Sequence, residues 1–398
     1  MWRNVSKKLI LTVLSVGIFT GSCLLPSHFA YAAEVKSDNK QVQIAKQAVS
    51  AVVMDAATGQ LLFEKNGHEK LPPASVTKIM TMLLVMEAVE SGKVKLTDKI
   101  RTSEYAASMG GSQIYLEPGE EMTLEQMMKG IALGSANDAS VAVAEHLAGS
   151  EEEFVRLMNE RAQELGMKNT HFSNCNGLPV QNHYTSAYDI AIMSRELVKH
   201  ETVLKWTSLF QDYLRQDSEK PFWLVNTNKL VRFYDGVDGL KTGFTSESRY
   251  CLSATAKRNG FRVIAVVMGE PTSPTRNAEV SGMLDWAFAN YYSETLYKRG
   301  QVVQKGAIEK GTPEEIPLVA ADTVGILMKK GEKKDAFTQT VELLSVKAPL
   351  EKGVVVGHIV VYKNGQEVGR TNILAGEKVE KASLGEMFNR TIRHWLKP

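Results

Sequence analysis

Hydrophobic and polar positions near the start of the chain follow the patterns of two strands and a long helix. Short apolar runs at residues 49–54 and 60–64 flank a turn sequence at residues 55–59, which is typical of two strands joined by a tight turn. After a Pro-Pro pair, residues 74–90 are rich in strong helix formers and contain no Gly or Pro. This stretch predicts a largely buried helix whose first turn follows the proline pair.

Helical patterns continue through the middle of the chain. Residues 124–133 and 138–147 indicate two helices separated by a short polar joint, and residues 187–199 form another pattern with Ser186 as its cap. Ser150 begins a capping-box sequence. The amphipathic helix predicted after it has an apolar face of Phe154, Leu157, Met158, Ala162 and Leu165.

A strand-rich stretch follows, in three apolar runs at residues 240–245, 250–257 and 261–268. The dipeptide Asn259-Gly260 between two of these runs is a strong hairpin signal. Residues 279–291 are amphipathic and predict a helix that covers the resulting sheet. We therefore expect residues 40–293 to form an α+β domain of helices packed on a mostly antiparallel sheet.

The pattern changes again after residue 293. Short β-like segments occur at residues 319–328, 338–344, 354–362 and 367–373. Asn364-Gly365 supplies another hairpin turn, and no catalytic constellation is visible in this stretch. Residues 294–381 therefore predict a small β-sandwich or barrel joined to the preceding domain. Placing an active site at a set distance from a surface is our hypothesis for its role.

Residues 383–398 have the period of an amphipathic helix. One face is apolar and consists of Leu384, Met387, Phe388, Ile392, Trp395 and Leu396. The other face is polar and mostly cationic, and consists of Glu386, Asn389, Arg390, Arg393 and Lys397. Such a helix can lie in a membrane interface, with its tryptophan and basic residues near the headgroups. The alternative is a terminal helix docked on the protein itself. The cationic face favours the membrane.

Residues 1–32 have the three parts of an export signal. A positively charged start with Lys7 and Lys8 precedes an apolar run at residues 9–19, and the small residues Ala-Tyr-Ala at 30–32 suit cleavage. The apolar run is short, because a bilayer-crossing helix needs about 20 apolar residues. A cleaved signal is therefore favoured over an uncleaved anchor.

The composition of the chain mainly excludes classes of function. A chain of 398 residues with 43% hydrophobic residues can bury a real core, and its formal net charge of +2 provides no basic stripe for nucleic acid. The eight histidines show no metal-ligand pairing, so no metal or cofactor is predicted. Signal cleavage leaves Cys175 and Cys251, which form either one bridge or two buried thiols. The size of the core favours thiols.

Three short motifs carry the candidate chemistry: Ser75-Val-Thr-Lys78, Ser135-Ala-Asn137 and Lys241-Thr-Gly243. Each is weak alone, and a second Ser-x-x-Lys occurs by chance at residues 37–40. In this order they supply a nucleophile, a proton shuttle and an anion clamp. An attack on the carbonyl of a peptide or a β-lactam requires all three. Because residues three apart share a helix face, Ser75 and Lys78 are expected to project together near the helix N-terminus.

The catalytic residues are expected to be Ser75, Lys78, Ser135 and Asn137. A serine hydroxyl is a poor nucleophile, and Lys78 can take its proton only if burial and a nearby cation lower the lysine pKa. Lys241 can be that cation. Ser135 and Asn137 are expected to relay a proton and to hold the substrate amide.

The substrate-binding residues are expected to be Lys241, Thr242, Gly243 and Thr245. Lys241 would bind the carboxylate of the substrate, helped by the hydroxyls of Thr242 and Thr245. The backbone N–H groups of Ser75 and Phe244 could form the oxyanion hole.

These motifs and their surroundings resemble the serine-type D-alanyl-D-alanine carboxypeptidases, the low-molecular-mass penicillin-binding proteins. The resembling segments begin at Pro73, Gly134, Leu165, Asn176 and Asp238, and the similarity spans nearly the whole mature chain. It implies a β-lactamase/transpeptidase-like catalytic domain and a β-rich C-terminal domain. It further implies cleavage of the terminal D-Ala from peptidoglycan pentapeptide stems through an acyl-enzyme on Ser75, and acylation of the same serine by penicillins.

The resemblance also implies a location and a partner surface. Many members of this family are anchored by an amphipathic tail to the outer face of the cytoplasmic membrane. We therefore expect an exported protein that acts in the cell-wall space. Two departures from some relatives are Phe244, where they carry His, and Arg249, where they carry a small residue. Because the role expected of Phe244 is a backbone one, we expect activity to survive there, with a changed rate or pH dependence. Arg249 is expected to alter the rim of the site.

Three other functions use similar residues. Class A β-lactamases share the scaffold but need a Glu-x-x-Leu-Asn loop, which the sequence at residues 164–169 does not match. A D,D-endopeptidase that cuts cross-links would use identical residues, so the sequence does not distinguish it. A non-catalytic penicillin- or wall-binding module is the alternative from another class, and the intact motifs argue against it.

Overall fold

The computed structural model describes residues 43–219 and 221–395. The predicted export signal at residues 1–32 and the chance motif at residues 37–40 lie outside the described residues. Up to residue 290, the strands and helices in chain order are β1 (Ser50–Asp55), β2 (Leu61–Lys65), α1 (Lys78–Glu90), β3 (Lys99–Arg101), α2 (Glu104–Ala107), β4 (Glu121–Thr123), α3 (Leu124–Lys129), α4 (Asn137–Ala148), α5 (Glu151–Glu164), α6 (Ala187–Leu197), α7 (Glu201–Thr207), β5 (Gln211–Leu214), β6 (Phe222–Val225), α8 (Leu230–Phe233), β7 (Val237–Thr245), β8 (Arg249–Arg258), β9 (Phe261–Glu270) and α9 (Ser273–Asn290).

Five of these strands form the central sheet, in the order β2-β1-β9-β8-β7, and every neighbouring pair is antiparallel. Asn259 and Gly260 join β8 to β9 with φ angles of 49° and 84°, as a two-residue hairpin turn requires. Strand β7, which carries the third motif, lies at one edge of the sheet. The predicted α+β fold with a mostly antiparallel sheet is confirmed.

Helices cover both faces of this sheet. Strand β9 shows why, because its alternate residues enter two different hydrophobic cores. Ile264, Val266 and Met268 pack in the core that includes α1, α4 and α6, while Val263, Ala265 and Val267 pack in the core that includes α9. A strand buried on both faces has an almost continuous apolar sequence, as this one does. Helix α1, which follows the first motif, is therefore interior.

The boundaries of several predicted helices differ in the structure, and two differences bear on the fold and the site. Helix α9 begins at Ser273, six residues before the predicted start, because the Thr272 hydroxyl accepts the N–H of Thr275 and Pro274 suits the first turn. The helical stretch predicted at residues 124–133 is α-helical only to Lys129 and continues as a π-helical turn at Gly130–Gly134. That turn leads directly into the second motif.

The C-terminal part contains β10 (Tyr291–Tyr297), β11 (Val302–Ala307), β12 (Gly311–Thr312), β13 (Glu315–Ala320), β14 (Val324–Lys329), β15 (Phe337–Leu343), β16 (Val355–Lys363), β17 (Gln366–Ala375), β18 (Glu380–Lys381) and α10 (Leu384–Trp395). Its main sheet has the order β11-β13-β17-β16-β15. The predicted single segment at residues 319–328 is wrong: Ala321, Asp322 and Thr323 separate β13 from β14, which pair with different strands. Within the described ranges, no helix has the length and hydropathy needed to cross a bilayer.

Candidate active site

The first motif lies on a tight turn at the start of α1. Residues Ala74–Thr77 form one 3₁₀ turn, and the α-helix begins at Lys78. The Thr77 hydroxyl donates to the carbonyl of Ala74 at 2.8 Å, which fixes the turn from inside. Ser75 is partly exposed, whereas Lys78 is fully buried one turn later on the same face. The nucleophile candidate is therefore accessible from solvent, and its base candidate is buried next to it.

The Lys78 ammonium is bound by three oxygen atoms. Its Nζ lies 3.1 Å from Ser75 Oγ, 2.6 Å from Asn137 Oδ1 and 2.5 Å from the backbone carbonyl of Asn176. Burial lowers the pKa of Lys78 from 10.5 to about 7, against the opposing influence of Cys175 and Asp138. A substantial fraction of this amine is therefore neutral at neutral pH, as a general base for a serine must be.

The second motif lies between the π-helical turn and α4. Ser135 has a left-handed backbone with φ of 63°, and this turns the chain so that Asn137 can reach Lys78. Asn137 Nδ2 donates to the carbonyl of Gly110 at 2.7 Å, which fixes the orientation of its amide. The Ser135 hydroxyl is buried and, among the described residues, has no hydrogen-bond partner. An unpaired buried hydroxyl costs stability, so its presence needs an explanation. A role in substrate binding or proton transfer would supply one.

The third motif lies on the edge strand β7. Lys241 is only 1% exposed, and its Nζ donates to the carbonyl of Thr242 at 2.9 Å. Burial lowers the pKa of Lys241 well below its ordinary value, and the positive charges of Lys78 and Arg276 lower it further. Burial is the leading cause for Lys78 as well. The anion clamp is therefore a desolvated cationic region that an incoming carboxylate would stabilise.

Backbone packing joins the third motif to the other two. A Cβ on Gly243 would lie 2.8 Å from the carbonyl of Pro73, so only glycine lets β7 approach the turn that carries Ser75. Thr242 Oγ1 donates to Thr227 Oγ1 at 2.7 Å, and the Thr227 N–H donates to the carbonyl of Leu133, two residues before the second motif. All three motifs thus meet at one place.

Two predicted residues lie at the rim of this place. The hydroxyl of Thr245 is engaged with Ser248 Oγ at 2.8 Å, in the turn between β7 and β8. The Phe244 side chain is 53% exposed and stacks on Tyr250 with ring centroids 4.3 Å apart. The hydroxyls of Thr245 and Thr242 therefore each already have a partner within the protein.

Three features were missed by the sequence reasoning. The carbonyl of Asn176 binds Lys78, and Gly177 beside it allows the close approach, since a Cβ there would lie 1.9 Å from the carbonyl oxygen of Ala74. Arg276, at the start of α9, is 4% exposed and close enough to influence Lys241. The Asn176-Gly177 pair was a signal for the close approach alone, and neither the Asn176 carbonyl nor Arg276 had one.

A buried histidine also supports the nucleophile turn. His183 accepts the N–H of Ser173 at Nδ1, 2.9 Å away, so its proton lies on Nε2, which is 2.8 Å from the Thr77 hydroxyl. Burial lowers the pKa of His183 to about 4 and keeps the ring neutral. His183 is therefore linked to the turn that carries Ser75 through the Thr77 hydroxyl.

The cysteines are buried free thiols, as the size of the core suggested. Burial raises the pKa of Cys175 well above its ordinary value and that of Cys251 to about 11. Within residues 43–219 and 221–395, no group of three or more His, Cys, Asp or Glu side chains could hold a metal ion.

Known proteins match both parts of the chain. Residues 35–272 match the family described as D-alanyl-D-alanine carboxypeptidase, and residues 291–381 match the C-terminal domain of penicillin-binding protein 5. The chain is 50% identical over 392 residues to D-alanyl-D-alanine carboxypeptidase DacF of Bacillus subtilis, and this alignment covers 98% of this chain and 99% of that protein. DacC of Escherichia coli is 33% identical over 353 residues, 85% of each chain. The solved structure of penicillin-binding protein 5 from Haemophilus influenzae has a TM-score of 0.65 at 32% identity, over 85% of this chain and 98% of that chain.

Proposed function

The chain belongs to the D-alanyl-D-alanine carboxypeptidase family, and we propose that Ser75 is the nucleophile with which it releases the terminal D-alanine. Its family consists of serine hydrolases that act on cell-wall peptidoglycan outside the cytoplasm. The observation that supports this assignment of residues is the 3.1 Å contact of Ser75 Oγ with a buried lysine whose pKa is about 7. A base of that strength is half neutral where the reaction must run.

Acylation begins when neutral Lys78 removes the Ser75 proton as Oγ attacks the carbonyl carbon of the penultimate D-alanine. The carbonyl electron pair moves onto oxygen, where the backbone N–H groups of Ser75 and Phe244 stabilise the negative charge. Each such donor is worth about 3–4 kcal/mol in comparable sites. The tetrahedral intermediate collapses by breaking the C–N bond, and the leaving amine takes the proton from Lys78 by way of Ser135.

Deacylation repeats the same steps with water. Lys78, neutral again, accepts a proton from the water that attacks the ester carbon. The ester C–O bond then breaks, and Ser75 Oγ recovers its proton from Lys78. Asn137 remains bonded to Lys78 through its carbonyl oxygen, and its N–H group is held by Gly110, so it keeps the ammonium in place during both half-reactions.

Substrate binding depends on the buried cation Lys241 of β7 and on the nearby Arg276. The free carboxylate of the terminal D-alanine pairs with Lys241, and the Thr242 hydroxyl turns away from Thr227 Oγ1 to donate to it, while Arg276 adds positive potential. Thr245 contributes at the rim. Burial and two cations lower the pKa of Lys241 in the free protein. A bound carboxylate raises that pKa again, since its negative charge favours the protonated amine, and binding therefore draws a proton into the site. A peptide with an amidated C-terminus should therefore bind poorly.

Penicillin binding follows from the same steps. A β-lactam presents its own carboxylate and a strained amide to Ser75, and ring opening gives an ester on Oγ. The leaving amine stays attached to the acyl group, so it cannot diffuse away as D-alanine does. Because residues 164–169 lack the Glu-x-x-Leu-Asn loop of class A β-lactamases, we expect slow release of the penicilloyl group.

Membrane attachment through residues 383–398 is a further part of this proposal, together with cleavage of an export signal at residues 1–32. In α10, Leu384, Phe388 and Ile392 are 83%, 67% and 40% exposed and recur every fourth position on one face. On another face Arg390 donates to the carbonyl of Gly311 at 2.7 Å, which favours an outward apolar face. Such a face can enter a bilayer interface.

Deleting residues 384–398 tests the membrane proposal. The truncated protein should no longer sediment with vesicles that contain anionic phospholipid, while its release of D-alanine from a soluble peptide stays unchanged. Equal sedimentation of both proteins would reject the anchor.

The test of the activity uses a soluble peptide that ends in D-Ala-D-Ala. The protein should release D-alanine from it, and Ser75→Ala should release none above background. A Ser75→Ala variant with wild-type turnover would remove Ser75 from the mechanism. Penicillin labelling without D-alanine release would instead favour a binding or sensing protein.

A further inference from the structure

One acceptor of the Lys78 ammonium comes from a loop far along the chain. In this loop, the 174–178 loop, the carbonyl oxygen of Asn176 lies at a distance of 2.5 Å from Lys78 Nζ. Unlike the side chains of Ser75 and Asn137, this acceptor is a backbone atom. Its position therefore depends on whatever holds the peptide groups of the loop.

Both peptide groups of Cys175, the residue before Asn176, are held by side chains. Its carbonyl accepts from Thr81 Oγ1 at 2.6 Å, and Thr81 lies on α1 one turn after Lys78. Its N–H donates to Glu151 Oε1 at 3.0 Å. The loop is thus attached to α1 on one side and to α5 on the other.

Glu151 is an unusual residue for the start of a helix. It is the first residue of α5 and only 9% exposed, whereas its neighbour Glu152 is exposed. Its second oxygen, Oε2, accepts from the hydroxyl of Tyr105 at 2.8 Å. The N-terminus of α5 stabilises the negative charge that burial would otherwise disfavour. Both carboxylate oxygens are therefore committed to fixed partners, and one partner is the loop.

We propose that Glu151 is a positioning residue for acylation: by binding the N–H of Cys175 it keeps the 174–178 loop closed over Lys78, with the Asn176 carbonyl on the ammonium. This inference rests on the proposed role of Lys78 as the base for Ser75. Glu151 does not touch the reacting atoms. By holding the loop, it controls how far the Lys78 ammonium is shielded from water and in which direction that ammonium points.

The closed loop matters because burial is what makes Lys78 a base. If the loop opens, water reaches the ammonium and the pKa of Lys78 rises toward its ordinary value, since burial is the leading cause of its lowering. A smaller fraction of the amine is then neutral at pH 7, and acylation slows. Glu151 also helps to raise the pKa of the buried Cys175 thiol, which keeps a thiolate from forming near Lys78.

The experiment compares three variants of the full chain by their second-order rate constants for labelling by fluorescent penicillin between pH 5 and 9. We expect Glu151→Ala to lower the rate constant at pH 7 at least tenfold and to move the midpoint of its acid limb upward by half a unit or more. Glu151→Gln should stay within about threefold of wild type, because its amide oxygen can accept the same N–H. The matched control is Glu152→Ala, which should label like wild type.

The results separate positioning from mere stability. If Glu151→Ala lowers the melting temperature but leaves the midpoint and the rate constant unchanged, the inference is overturned. If Glu151→Ala does not fold, Thr81→Val carries the test, because it releases the other side of Cys175 and should shift the midpoint in the same direction. An unshifted Thr81→Val would also overturn the inference. Absence of labelling in wild type would instead refute the proposed function itself.

Discussion

Replacing Gly177 by alanine should disable the nucleophile turn. Gly177 has φ of +85°, and its added Cβ would lie 1.9 Å from the carbonyl oxygen of Ala74 and 2.9 Å from the amide nitrogen of Ser75. Ordinary contact begins at 3.4 Å, so the loop and the turn must separate by about 1.5 Å. The left-handed backbone costs about a further 1–2 kcal/mol for any residue with a Cβ.

The size of the catalytic effect follows from that displacement. Ala74 immediately precedes Ser75, so the turn cannot move by this amount without moving the nucleophile. A misplacement of about 1 Å in a catalytic group can cost about 100-fold in rate. We therefore expect Gly177→Ala to lower the second-order rate constant for penicillin acylation by about 100-fold or more.

Gly166→Ala is the matched control, because Gly166 also has a positive φ of 72° but no atom lies within 4 Å of its added Cβ. It should lose about 1–2 kcal/mol of unfolding free energy in denaturant titration and keep acylation within twofold of wild type. The difference between the two variants isolates the steric clash. Acylation of folded Gly177→Ala at a rate within twofold of Gly166→Ala would refute the reasoning.

Three further predictions concern ionisation and buried polar groups. The rate of penicillin acylation should rise with pH through a midpoint near 7, where Lys78 loses its proton, and a rate independent of pH between 5 and 9 would exclude Lys78 as the base. His183 has a pKa of about 4 in the fold and 6.5 in an unfolded chain, so unfolding free energy should be full above pH 6.5 and fall by up to about 3 kcal/mol as pH drops to 4. A His183→Gln variant should lack that part of the pH dependence in denaturant titrations. Ser135→Ala should lower D-alanine release while leaving the unfolding free energy unchanged or up to about 1 kcal/mol higher, because the hydroxyl it removes is buried and unpaired among the described residues. A clear loss of stability would show that this hydroxyl has a structural partner.

The fold was predictable wherever a local pattern also decides the packing. Asn259-Gly260 determines its hairpin because the turn itself requires positive φ at both residues. The start of α9 was missed because the predicted amphipathic period begins only at Glu279, whereas the cap at Thr272 and Pro274 precedes it. The division between β13 and β14 was missed because both strands are apolar and the break is set by their different partners.

The site was predictable as far as side-chain chemistry marks it. Ser75, Lys78 and Asn137 are joined by hydrogen bonds as the motif order suggested. The carbonyl of Asn176 could not be predicted, because a backbone acceptor 98 residues away leaves no residue-type signal. The buried support from Glu151 has the same character, since a glutamate at a helix start is ordinarily explained by the helix alone.

The central claim is that Ser75, activated by Lys78, forms the covalent bond to the acyl group. It is tested most directly by trapping the protein with penicillin, digesting it, and locating the added mass by tandem mass spectrometry. We predict one penicilloyl group per chain, on Ser75, and no adduct in Ser75→Ala. An adduct on any other residue, or equal labelling of Ser75→Ala, would contradict the account.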